Sequence, residues 1–174
     1  WRCGQAPPRP RPNPIRTEPK MMKTMTSMLS RASRMTLALG AMLQSRSPAG
    51  VRELALADLL VGPFMTALDP QELVTDIVVP LPAPGSGSAY ACVEHPASGF
   101  ALAGAAAVAG PGGERVAVTG VGATPFVLPA GGPRAAIADA EIFGDRFASE
   151  EYRRELAVVL AERALATARE RTRG

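Results

Sequence analysis

Histidine and cysteine are scarce in this sequence: His95 is the single histidine, and Cys3 and Cys92 are the two cysteines. Two cysteines build no disulfide framework, and one histidine beside them builds no Cys/His ligand set for zinc. With no such framework, a reducing cytoplasm is the expected compartment. Aromatic residues make up 5% of the chain, so a core has to be assembled from Ala, Val and Leu. The hydrophobic content of 47% is ample for that. No stretch approaches the roughly 18 uncharged apolar residues that a membrane helix needs. The apolar segment of a secretory signal is missing too, because nothing long enough follows the early basic residues. No Gly-Lys-Ser or Gly-Lys-Thr occurs, which excludes phosphate cradling by a P-loop.

Negative charge is scarce in the first 50 residues, which hold nine Lys/Arg and only Glu18 as an acid, a net of +8. Residues 51–174 invert this, with ten Arg, no Lys and fifteen Asp/Glu, a net of −5. The basicity thus belongs to a leader rich in Pro and Met, not to a folded face, and no nucleic-acid partner is expected. Residues 1–36 are expected to be disordered, since so polar a segment buries too little to offset ordering entropy. Within them "MMKTMTSMLSRASRMT" has the composition of a transit peptide. A solvated tail or a start site assigned too early is the better reading.

From Leu37 the pattern becomes that of a folded chain. "TLALGAMLQSRSPAGVREL" predicts two extended segments about a turn at Ser47–Gly50. "LADLLVGPFMTAL" has helical spacing at Leu56, Leu59 and Leu60, and Gly62-Pro63 must end any helix there. Asp69-Pro70 makes a turn into "LVTDIVVPLP", a β-branched run that reads as a strand. "SAYACVE", "FALAGAAAVAG" and "RVAVTGVG" are three more, the last two forming a hairpin across "GPGG". Ser149 is placed to cap a helix reaching about Arg171, with Glu150 and Glu151 at its positive end and Arg169 and Arg171 at its negative end. Tyr152, Leu156, Val159 and Leu160 form its expected apolar stripe, and Glu150–Arg154 an i,i+4 pair. The expected class is α+β: a small antiparallel sheet of three to four strands packed with helices and closed by a long C-terminal helix.

The chemistry-bearing residues are few. Cys92 and His95 lie three apart beside Glu94, but strand residues at that spacing face opposite ways. A nucleophilic pair there would need a bend, which Pro96 could supply. "VAVTGVGATP" imitates the opening of a dinucleotide fingerprint with two glycines only, and Pro125 stands where a helix should begin; a tight turn is the better reading.

Taken in order, "RSPAG", "LLVGPFMTALDPQELVTDIVVP", "GSAYACVEHPASGFALAGAAAVA", "VTGVGATP" and "ASEEYRRELAVVLAERAL" resemble the FAD-binding medium subunit of molybdenum hydroxylases, the carbon monoxide dehydrogenase and xanthine dehydrogenase family. The resemblance runs from about Leu37 to Ala168. It implies that residues 37–80 are the end of a flavin domain with a linker strand, and 81–174 the subunit's C-terminal domain. It also implies a flavoprotein that passes electrons from iron–sulfur clusters to FAD and an external acceptor. The partners would be a molybdopterin-binding large subunit and a 2Fe-2S small subunit. In such subunits the hairpin around Phe100 lies beside the flavin ring, so Phe100 is assigned as a wall of the ring, with Cys92 and Val74 near it. A lysine commonly occupies the position of Cys92, and its replacement is a departure from the pattern. A second departure is that residues 1–36 contain no glycine-rich pyrophosphate loops, so a truncated relative is expected, binding FAD weakly or not at all by itself. Two other readings stay open: a cofactor-free interaction domain that docks on larger subunits, and thiol catalysis at Cys92.

Overall fold

A computed structural model describes residues 35–62 and 65–173. Residues 1–34, most of the expected disordered leader, lie outside the described residues. Residues 35–39 are helical rather than extended, because Leu37 and Ala38 pack with Ala106 and Ala117 on one face of a sheet.

The elements then follow as β1 (Met42–Ser47), β2 (Gly50–Ala55), α1 (Leu56–Leu59), β3 (Leu60–Gly62), β4 (Met65–Thr66), β5 (Leu73–Val78), β6 (Gly87–Glu94), β7 (Ala101–Gly110), β8 (Gly113–Thr119), β9 (Phe126–Val127), α2 (Pro133–Ala138) and α3 (Glu150–Arg171). They form an antiparallel sheet of order β2-β1-β5, a two-stranded β3-β4 pair, and a four-stranded meander β6-β7-β8-β9. This is the expected α+β arrangement with its long closing helix. The helical spacing at Leu56, Leu59 and Leu60 is realised for one turn only: Leu60 already begins β3, where it pairs with Thr66.

The β7–β8 hairpin turns at Pro111-Gly112, with Gly110 opposite Gly113. Gly113 takes a φ of +95°, a value that favours glycine over any residue with a Cβ. The centre of the fold is β7. Ala103, Ala105, Ala107 and Ala109 face α3, while Ala106 faces residues 37–38. Burial on both faces is why this strand reads as a continuous small-residue run rather than an alternation.

Alanine also decides how α3 docks. Its buried residues are Arg153, Ala157, Val158, Leu160, Ala161, Ala164, Leu165 and Ala168. The expected stripe through Tyr152 and Val159 is wrong for those two, which are 51% and 44% exposed. A row of methyl groups on the helix against a row on β7 lets the two backbones come close, and larger side chains are turned outward. At Gly87 the approach is so tight that a Cβ would stand 2.1 Å from the Ala168 carbonyl oxygen. Ser149 caps α3, its Oγ accepting from the Tyr152 N–H at 3.2 Å. Glu150 and Arg154 form the anticipated pair at 2.8 Å, and Arg154 also donates to the Ile137 carbonyl at 2.7 Å, closing the end of α2.

Candidate functional site

The tip that joins β6 to β7 is a tight, self-bonded loop. The His95 N–H donates to the Phe100 carbonyl and the Gly99 N–H to the His95 carbonyl, both at 2.8 Å. Gly99 has a φ of +72°. The Nδ1 of His95 accepts from the backbone N–H groups of Ala97 and Ser98 at 3.3 Å each. This loop leaves Phe100 60% exposed.

Facing the tip is the loop at residues 145–148, just ahead of α3. Asp145 organises it: Oδ1 accepts from the N–H groups of Phe147 at 2.8 Å and Ala148 at 3.0 Å. Its Oδ2 accepts from Arg153 Nη2 at 2.5 Å. The amide of Phe147 first, then the Arg153 guanidinium, hold the Asp145 carboxyl below the usual carboxylate range. Arg153 is 8% exposed and also donates from Nη1 to the carbonyls of Leu102 at 3.1 Å and Gly120 at 2.5 Å. The Phe147 ring meets the His95 ring edge-on at 4.4 Å between centroids. On Phe147 lies the Arg146 guanidinium, 4.5 Å from the ring centre.

Between the two loops opens a cleft of about 550 Å³, lined among others by His95, Ser98, Phe100, Arg146, Phe147 and Arg153. Phe100 is therefore the one expected site residue on this cleft. Cys92 and Val74 are not among its lining residues. Cys92 lies on β6 opposite Gly104, half-buried, with Sγ 3.6 Å from the Glu94 carboxylate. Val74 belongs to the other sheet, opposite Ser45 on β1, and is 40% exposed. Sequence reasoning missed Asp145, Arg146, Phe147 and Arg153. The one local signal was "GDRFAS", an Asp able to bond the amides two and three residues on, directly before a helix cap.

Thiol catalysis finds no support in this geometry. A register shift between Val93 and Glu94 supplies a bend, yet Nδ1 of His95 is turned to its own loop amides, and the thiol lies 3.6 Å from the Glu94 carboxylate. Among the described residues no three His, Cys, Asp or Glu side chains gather as a metal site. The glycine pair after β8 is a turn, as read from the sequence: Gly120 has a φ of +82°, and a Cβ there would lie 2.6 Å from the Ala101 carbonyl oxygen.

Val74's sheet is held around a single carboxylate. Glu72 accepts from the Ser45 hydroxyl at 2.5 Å and from Arg52 at 2.9 and 2.6 Å. Ser45 first, then Arg52, lower its pKa from 4.5 to about 2. Beyond this carboxylate, β5 carries Leu73, Val74, Ile77 and Val78 as exposed apolar residues.

Comparison with known proteins agrees with the sequence resemblance. The family described as the FAD binding domain in molybdopterin dehydrogenase matches residues 24–82. The carbon monoxide dehydrogenase medium chain of Afipia carboxidovorans is 35% identical over 86 residues, which are 49% of this chain and 30% of that one. Among solved structures, the cyanide-inactivated Cu,Mo-CO dehydrogenase superposes with a TM-score of 0.71 at 29% identity, over 80% of this chain and 56% of that chain. Carbon monoxide dehydrogenase from Hydrogenophaga pseudoflava, lacking the Mo-pyranopterin moiety, gives 0.70 at 27% identity over the same shares. The chain is similar to FAD-binding medium subunits of molybdenum hydroxylases. The counterparts named here are carbon monoxide dehydrogenase subunits, and the chain spans about half the length of the solved ones, 56%.

Proposed function

We propose that this chain forms the ring-facing part of an FAD site in a molybdenum hydroxylase. Residues 37–80 are read as the end of the FAD-binding domain and 81–174 as the C-terminal domain. The assembly would include a molybdopterin-binding large subunit and a 2Fe-2S small subunit, in the cytoplasm. Among the described residues no helix is long and apolar enough to cross a membrane.

The observation that carries this reading is Phe100, exposed on an open cleft whose other wall presents a second aromatic ring, Phe147. Two aromatic side chains and a volume of about 550 Å³ fit a planar heteroaromatic ring better than a charged chain. Phe100 would wall the ring and shield it from water. Cys92 and Val74 are assigned as neighbouring contacts, outside the cleft itself. When bound, FAD supplies the electron-accepting chemistry, and the protein supplies position and electrostatics.

The test is an FAD titration of the whole chain followed by flavin fluorescence. Saturable quenching that weakens in Phe100→Ala supports the reading. Millimolar protein is used because an affinity lacking the pyrophosphate grip is weak, and a wild-type chain that leaves FAD fluorescence unchanged even there sinks it.

The exposed apolar residues of β5 favour a second reading, an interaction domain without cofactor. It predicts a chain that does not bind FAD yet still associates with the large subunit.

A further inference from the structure

We infer that Arg146 is the charged contact to the flavin ring in this chain. The inference rests on the proposal that the ring lies beside Phe100, and it names the group that would meet the ring's polar edge.

The cleft is lined by two arginines of opposite character. Arg153 is buried, and its charge is matched by Asp145 at 2.5 Å. Both of its terminal nitrogens are already committed, to Leu102, Gly120 and Asp145. Arg146 is exposed, and among the described residues no carboxylate lies within ion-pair distance of it. The cleft therefore presents one uncompensated positive charge, and Arg146 carries it.

That charge is also held in place. The guanidinium rests on the Phe147 ring, Phe147 is braced by His95, and the backbone N–H of Phe147 is bonded to Asp145. A guanidinium over an aromatic face is held there by the ring's negative quadrupole while its N–H donors remain available to a ligand. A flavin ring has a complementary edge, where carbonyl oxygens and a ring nitrogen accept side by side. The same edge gains negative charge when the ring takes up electrons, so a fixed cation there is favourable both for binding and for electron acceptance.

The experiment titrates the whole chain with three probes: FAD, riboflavin (the ring without phosphates) and ADP (the phosphates without the ring). Wild type is compared with Arg146→Ala, Arg146→Gln and a charge-matched control, Arg134→Ala, whose guanidinium lies 3.8 Å from Glu162 and is no part of the cleft. Far-UV circular dichroism and thermal melting check that each variant is folded. Loss of a charge-assisted contact is expected to weaken FAD and riboflavin about tenfold in both Arg146 variants. ADP binding and the control should not change. If wild type binds FAD and the Arg146 variants bind it equally well, this inference is wrong and the flavin reading stands. Weakening confined to FAD and ADP would move Arg146 to the phosphates and overturn the ring contact. Equal weakening in the control would reduce the effect to diffuse charge and overturn it too. A wild-type chain that binds none of the probes removes the flavin reading and this inference with it.

Discussion

Arg153 Nη2 stands 2.5 Å from Asp145 Oδ2, and through that contact the long helix positions one wall of the cleft. The pair is unequal in burial, the arginine side chain being 9% and the aspartate side chain 46% exposed. Its consequences on mutation should be unequal as well. Arg153→Ala strands the carbonyls of Leu102 and Gly120 along with the carboxylate, and is expected to cost about 3 kcal/mol. Asp145→Asn keeps an acceptor for the amides of Phe147 and Ala148 and should cost distinctly less. Urea denaturation of the two variants checks the order. Equal losses, or a larger loss for Asp145→Asn, would show that the loop bonds of Asp145, not the carbonyl bonds of Arg153, carry the stability.

Glu72 predicts an acid limb to stability. Its carboxyl titrates at about 2 in the folded chain, against an ordinary 4.5, chiefly because the Ser45 hydroxyl donates to the ionised form. A carboxyl with a depressed folded pKa stabilises the fold above its unfolded value, and that share disappears as pH falls from 4.5 towards 2. Asp145 and Glu114 are shifted in the same direction, by the Phe147 amide and by Arg169 respectively. Urea midpoints measured from pH 7 down to pH 2 should therefore fall, most steeply below 4.5. Glu72→Gln should be less stable at pH 7 and show a shallower acid decline. An identical pH slope in the variant would mean that Glu72 is not shifted.

Strands, hairpin turn and terminal helix were legible in the sequence because each depends on local chemistry. "GPGG" sets the β7–β8 turn, Ser149 caps α3, and the β-branched run marks β5. The orientation of α3 was not legible. Hydrophobicity alone favours Tyr152 and Val159 as inward residues, whereas close backbone approach favours alanine, a preference that exists only once β7 lies opposite. The cleft was half legible. Phe100 came from its place in a recurring hairpin, but Asp145, Arg146 and Phe147 meet it only because α3 folds back over the sheet. Arg153 offered no signal at all: a buried arginine in a helix looks like any surface arginine until its carbonyl partners, Leu102 and Gly120, are brought to it from two other strand ends.

Gly87 and Gly112 make the last prediction, since the same substitution should act oppositely at the two sites. A methyl group at Gly87 would lie 2.1 Å from the Ala168 carbonyl oxygen and 2.8 Å from Arg171 Cβ. The first obstacle is backbone, so no rotamer change relieves it; either β6 or the end of α3 must move. Overpacking of this kind costs about 1–3 kcal/mol. The displaced helix end would also lose the bond from Arg171 Nη1 to the Ser88 carbonyl, 2.5 Å in the native fold. At Gly112 a Cβ meets nothing within 4 Å and the backbone is not left-handed, so alanine there should be neutral or stabilise by up to about 1 kcal/mol through the unfolded chain. Thermal unfolding of Gly87→Ala and Gly112→Ala, measured side by side, decides it. A Gly87→Ala chain that melts with wild type would mean that α3 packs on β6 less closely than the alanine-lined interface requires.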